Sequence, residues 1–207
     1  MKNIQVNQFI FNVQQHVLGS QSHRAVLWMQ GCSIGCRGCT SPHTWSSSGG
    51  YTLEVEKIIS ELKQRHVSGL TITGGEPTEQ PEALLHLCQL IRDEFGPGFE
   101  LVLYSGLNMD AAQALLPEVF GLIDVGVFGP YEKALPATPL AGSNNQQVYV
   151  NPYSHFVQDY QNWEKWPIHR LQVYSLNDND YLIVGIPNSK AVRDAVKETK
   201  LIFKSNV

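Results

Sequence analysis

The chain has 207 residues, 43% of them hydrophobic and 16% charged, with a formal net charge of -4. That length suits one generous domain, or one domain with an appendage, around a sizeable core, and the composition is that of a globular protein, so disorder is not the default. The slight negative charge excludes a broad basic surface for nucleic acid or acidic membrane, no stretch approaches the roughly eighteen uninterrupted apolar residues of a membrane span, and Met1 to Gln8 lack the apolar centre of a secretory signal.

Residues 4–18 alternate Ile4, Val6, Phe9, Phe11 and Val13 with polar neighbours, a pattern that predicts an edge strand or hairpin. A first firm strand is expected over about 24–30. A polar loop through Ser46-Ser47-Ser48-Gly49-Gly50 leads to a helix from about Thr52 to Arg65, with Ile58, Ile59 and Leu62 on its apolar side. Strands are expected at 69–73, 99–104 and 121–128, with helices at 81–95 and 110–116 between them. Beyond 130 the alternation stops. A strand at 146–150, an antiparallel hairpin of 170–174 with 181–184, and a short helix near 189–198 are the further expectations.

Strands alternating with helices imply right-handed βαβ units and a parallel sheet. Four such strands are half of a closed barrel. The expected fold is therefore α/β: a partial (β/α) TIM-like barrel over residues 1–150, with 151–207 as a C-terminal hairpin extension packed on the same domain. Ligands of parallel sheets sit at the strand C-terminal ends, and that rim collects the unusual motifs.

One of these is Cys32-Ser33-Ile34-Gly35-Cys36-Arg37-Gly38-Cys39, which follows the apolar run 25–29. Three thiols this close are unsuited to a disulfide framework, and their clustering points to the cytoplasm and to a metal centre. Three thiolates can each hold one corner iron of a cubane cluster and leave the fourth without a protein ligand. Structural zinc on Cys32, Cys36, Cys39 and His43 is the alternative. Cys88, at a helical apolar position, reads as a buried structural thiol.

The second motif, Gly74-Gly75-Glu76-Pro77, ends the next strand. Its glycines leave backbone polar groups approachable, Glu76 can receive a cation, and Pro77 fixes the exit of the turn. Capture of an amino acid's ammonium beside the metal fits these groups; a plain strand-to-helix loop is the alternative.

Together the two motifs resemble the radical S-adenosylmethionine superfamily. Further segments, Thr44-Trp45, Tyr104-Ser105-Gly106, Ile123 to Pro130 and Gly142-Ser143-Asn144-Asn145-Gln146, resemble the activating proteins of anaerobic ribonucleotide reductases over about residues 24–147. The resemblance implies a 4Fe-4S cluster ligated by Cys32, Cys36 and Cys39, with Gly74, Gly75 and Glu76 holding the methionyl ammonium of S-adenosylmethionine and Ser105 near its ribose or carboxylate. It further implies reductive cleavage of that cofactor to a 5'-deoxyadenosyl radical, a glycyl radical enzyme as protein partner, and an electron donor such as flavodoxin or ferredoxin.

Asp124 is expected at a strand end on the same rim, facing the adenosyl group or else capping a turn. Phe128 stands where the family usually has aspartate, and Ala141 where arginine often precedes the Gly-Ser motif. These departures, with the longer tail, leave a peptide or small-molecule substrate as an alternative, and a non-catalytic zinc module as another. Arg37, His43, Trp28 and Trp45 lie beside the loop as secondary candidates; Tyr160, Trp163 and Trp166 read as core or interface.

Overall fold

A computed structural model describes residues 2–168, 171–175 and 181–185. In chain order the elements are β1 (Asn3–Val13), β2 (Arg24–Met29), β3 (Tyr51–Glu54), α1 (Val55–Gln64), β4 (Gly69–Gly74), α2 (Pro81–Phe95), β5 (Glu100–Ser105), α3 (Met109–Leu115), α4 (Pro117–Leu122), β6 (Val125–Phe128), β7 (Gln147–Val150), β8 (Leu171–Ser175) and β9 (Tyr181–Gly185). The helix expected near 189–198 lies outside the described residues.

Seven strands form one sheet in the order β3-β1-β2-β4-β5-β6-β7. The four central strands β2, β4, β5 and β6 are parallel, while β1, β3 and β7 join antiparallel on either side. Among the described residues β3 and β7 remain at opposite edges, so the sheet is open. The hairpin β8-β9 is antiparallel, as its sequence predicts.

Alternation along the strands divides the core into two faces. Leu27, Met29, Leu70, Ile72, Leu101 and Leu103 face the helices and meet Ile58 and Leu62 of α1 and Leu84, Leu87 and Ile91 of α2. On the other face, Val26 packs with Leu182 and Val184 of β9. Farther along, Val102, Val125 and Val127 are covered by Phe156 and Tyr160. The tail therefore takes the place that a second layer of helices holds in a doubly wound sheet.

Three expectations change here. The helix expected from about Thr52 starts at Val55, because Tyr51–Glu54 are extended and form β3. β1 is interior, paired with both β2 and β3, because Tyr51 to Glu54 form a short strand that covers its outer edge. The segment 121–128 is only half strand: Gly121 and Leu122 complete α4, which starts at Pro117. Proline is pre-organised for a first helical turn, and its signal was hidden by the apolar run behind it. α2 matches its expected bounds, with Pro81 in its first turn and Gly96 at its end at φ 68°.

At the N-terminal ends of the strands lies a buried ion pair, Arg24 with Glu100, both side chains fully inaccessible. Arg24 Nε also donates to Thr71 Oγ1 at 2.9 Å. Glu100 accepts from Ser20 Oγ at 2.5 Å and from Tyr160 Oη at 2.7 Å, which fastens the tail to the sheet. Burial pushes the Glu100 carboxyl up, but Arg24 and the hydroxyls of Ser20 and Tyr160 outweigh it and hold the group below its ordinary 4.5. A carboxyl depressed in the folded state stabilises fully above the unfolded value, and that contribution is lost as pH falls below about 4.5. Glu100→Gln, which leaves Arg24 charged and unpaired, should cost about 3 to 5 kcal/mol at neutral pH. Urea unfolding across the acid range checks this, with the variant showing a flatter loss of stability below pH 4.5.

Candidate active site at the rim of the parallel strands

β2, β4, β5 and β6 all end on one rim, and the loops leaving them touch. The cysteine loop is pinned at its start, where Gly31 N donates to Thr44 O at 2.8 Å and Cys32 N to Trp45 O at 3.1 Å. Within it Cys39 N donates to Cys36 O at 3.0 Å, and Ser41 N donates to Cys39 Sγ at 3.3 Å. Cys32, Cys36 and Cys39 are half-buried free thiols, and Cys88 is fully buried in the helix-side core.

The Gly-Gly-Glu turn is locked to this loop through backbone. Gly75 N donates to Met29 O at 2.8 Å and Glu76 N to Gly31 O at 2.7 Å. A Cβ on Gly75 would lie 2.1 Å from Gly31 O, so glycine is required for the two chains to approach. Gly74 takes φ +105°, in the left-handed region. The glycines thus build the junction between the motifs, a role that leaving polar groups approachable does not capture.

Glu76 is 1% exposed. Its Oε1 accepts from Thr78 N at 3.0 Å, Thr78 Oγ1 at 2.7 Å and Ser105 Oγ at 2.8 Å. Its Oε2 accepts from Gly106 N at 2.7 Å. Oε1 is saturated, whereas Oε2 carries one donor and retains acceptor capacity. Ile34 from the cysteine loop closes on the same spot, its Cδ1 lying 2.6 Å from where a Gly106 Cβ would stand. Glu76 and Ser105 are therefore brought together, and the cysteine loop contacts both of their turns.

Asp124 is a correction. It precedes β6 and so lies at the opposite end of the strands, where it accepts from Arg92 Nη2 and Leu101 N at 2.7 Å each and from Ser154 Oγ at 2.6 Å. The reason is α4, which shortens the strand and moves its start past Asp124. The family departures are structural: Phe128 is buried and stacks on Phe120 with ring centroids 5.0 Å apart, and Ala141 is buried in the tail-side core.

The turn after β6 completes the rim. Gly129 N donates to Ser105 O at 3.1 Å, Gln146 Nε2 to Gly129 O at 2.8 Å and Asn145 Nδ2 to Pro130 O at 2.8 Å. The Gly142 to Gln146 segment thus braces the turn that carries Lys133, whose aliphatic stem packs on Gly38. Sequence reasoning passed over Lys133 and Glu79; Glu79 Oε1 accepts from Ser33 N and Oγ at 2.7 and 2.6 Å. The only signal for Glu79 was its place two residues beyond Pro77.

Burial pushes the Cys32 thiol up, with Glu76 and Glu79 adding to it and backbone donors opposing. Burial pushes Cys39 up as well, against hydrogen bonds from Ser41 and Trp45. Metal ligands must be thiolates, so these sulfurs need a cationic centre to ionise fully. Burial lowers His43, favouring its neutral form. Among the described residues no three Cys, His, Asp or Glu side chains converge on a position for one ion. A free three-thiol loop locked beside a carboxylate with spare acceptor capacity fits a cluster with a cofactor.

The class follows from sequence comparison: the profile of the 4Fe-4S single cluster domain family matches residues 18–149. Among curated proteins, the anaerobic ribonucleoside-triphosphate reductase-activating protein of Vibrio cholerae is 36% identical over 146 residues, 64% of this chain and 91% of its own length. The protein of that name from Enterobacteria phage T4 is 33% identical over 134 residues, 62% of this chain and 84% of its own. That of Escherichia coli K12 is 30% identical over 142 residues, covering 64% and 92%. The chain belongs to the 4Fe-4S single cluster domain family and, within it, to the anaerobic ribonucleoside-triphosphate reductase-activating proteins.

Proposed function

We propose that this protein is a radical S-adenosylmethionine oxidoreductase that installs a glycyl radical on anaerobic ribonucleotide reductase. Cys32, Cys36 and Cys39 hold the 4Fe-4S cluster, and Gly74, Gly75 and Glu76 receive the ammonium of S-adenosylmethionine. When bound, the cluster supplies one electron and S-adenosylmethionine the group that takes a hydrogen atom from glycine. Thr78 and Ser105 fix Glu76 Oε1, which leaves Oε2 to meet the incoming cation. Glu76 is buried, with Ile34 packed on the adjacent Gly106, and burial strengthens the pairing. Ser105 acts here by orienting Glu76. The open sheet forms the arc of a partial barrel over residues 1–150, with 151–207 as an extension whose described core residues Phe156, Tyr160, Leu182 and Val184 pack on it. Electrons come from a flavodoxin or ferredoxin in the cytoplasm.

The observation that carries this reading is the backbone lock between the cysteine loop and the Gly-Gly-Glu turn, which makes cluster site and cofactor site one unit. A second reading, a peptide or small-molecule substrate, is favoured by the tail, which lies beyond the matched residues 18–149 and covers the helix-free face. Anaerobically reconstituted protein, reduced with dithionite and given S-adenosylmethionine, should release 5'-deoxyadenosine and generate a glycyl radical signal by EPR on added reductase. Release without that signal selects the second reading. Zinc without iron or sulfide after anaerobic purification indicates a non-catalytic module and overturns both.

A further inference from the structure

The stretch between the first two cysteines, Ser33-Ile34-Gly35, contains an exposed serine and a glycine at φ +62°. Ordering such residues costs backbone entropy. The tie on Ser33 is the Glu79 carboxylate, whose Oε1 accepts from Ser33 N at 2.7 Å and Oγ at 2.6 Å. Glu79 is itself held, because it ends the short 3-10 turn Pro77–Glu79, in which Glu79 N donates to Glu76 O at 3.1 Å. One turn thus delivers two carboxylates, Glu76 toward Ser105 and Glu79 toward the residue that follows Cys32.

This arrangement has an electrostatic side. Adding an electron to a thiolate-bound cluster increases its negative charge, and a neighbouring carboxylate opposes the addition. Hydrogen bonds from backbone N–H groups to cluster sulfurs ease reduction, yet the Ser33 N–H is committed to Glu79. Both effects act in the same direction, toward a cluster that is harder to reduce and a stronger reductant once reduced.

We propose that Glu79 is a positioning residue that fixes the Cys32 end of the loop and, through its negative charge, lowers the reduction potential of the cluster. The proposal rests on Cys32, Cys36 and Cys39 holding the cluster. Three variants separate the two roles. Glu79→Gln keeps an oxygen that can accept from Ser33 but removes the charge, Glu79→Asp keeps the charge, and Glu79→Ala removes charge and acceptor together. Glu79 is exposed, so all three should fold.

The readout is the one-electron midpoint potential of the reconstituted cluster, taken by EPR in a mediator titration with dithionite as reductant and no S-adenosylmethionine present. Water screens an exposed carboxylate, which keeps the expected effect modest. At a fixed potential the reduced-to-oxidised ratio should rise about threefold in Glu79→Gln, equivalent to about 28 mV at 59 mV per tenfold for one electron. Glu79→Asp should remain at the wild-type potential. Glu79→Ala should show the same rise with less iron bound per chain. Wild-type potentials with full iron in both Glu79→Gln and Glu79→Ala would overturn the proposal. Wild-type protein that binds no cluster would overturn the cysteine assignment instead.

Discussion

Replacing Cys32, Cys36 or Cys39 singly with serine should reduce bound iron from about four per chain to a small fraction of that and abolish 5'-deoxyadenosine formation, whereas Cys88→Ser should leave iron content unchanged. A hydroxyl is a far poorer ligand for iron in such clusters than a thiolate, and in the proposed ligation each of the three sulfurs would be the one protein ligand of its iron. The one other cysteine, Cys88, is buried in the helix-side core and is no substitute. Cys88 is different. It is fully buried in the helix-side core, and burial pushes its thiol up to about 12, so it is neutral and remote in chemistry from a metal ligand. Serine there buries a hydroxyl in an apolar site and should cost about 1 to 3 kcal/mol of stability. The contrast is read by iron and sulfide analysis beside urea unfolding. Full iron in any one of the three loop variants would remove that cysteine from the ligand set.

The second large effect is expected from Gly75→Ala, a change of one methyl group. The new Cβ would stand 2.1 Å from Gly31 O, 2.8 Å from Gly31 C and 3.1 Å from Gly31 N. All three are backbone atoms, so no rotamer change relieves the clash. The two segments must separate, breaking the bonds from Gly75 N to Met29 O and from Glu76 N to Gly31 O. Overpacking of this kind costs about 1 to 3 kcal/mol and occasionally more; with two backbone bonds lost, the upper end applies. Cluster loading should fall together with stability, because the cysteine loop departs from that junction. Gly121→Ala is the control: nothing lies within 4 Å of its added Cβ, it sits in α4, and relief of glycine's entropy should stabilise by about 0.5 to 1 kcal/mol. Equal behaviour of the two variants would show that the junction tolerates separation.

Much of the architecture was legible because local signals agreed. α2 carries its proline, its apolar stripe and its terminal glycine in one stretch, so both ends could be read. The parallel strands announce themselves as apolar runs delivered to motif-bearing turns. What could not be read depended on partners distant in sequence. β1 looks like an edge strand because its outer neighbour, Tyr51 to Glu54, is only four residues long and runs straight into α1, so it reads as the start of that helix. Asp124 was misplaced for a related reason: apolar residues on both sides of it suggested a longer strand, and only the proline-led helix sets where β6 begins. At the rim, residue types single out Glu76 and the family resemblance singles out Ser105, but neither says that one hydrogen-bonds the other. The role of Glu79 was invisible because it is an exposed side chain defined by a single contact partner 46 residues away.

The clasp between Tyr160 and Glu100 has a consequence for how the chain is made. Synthesis delivers Arg24, Thr71 and Glu100 before residue 160, so until the tail arrives the interior ion pair lacks its Tyr160 donor and Val102, Val125 and Val127 lack their cover. A nascent chain that has just finished β7 holds every segment of the rim but has one face of its sheet still wet. Completion of the sheet's second face therefore waits on the tail, whereas every residue of the rim precedes position 147 in the chain.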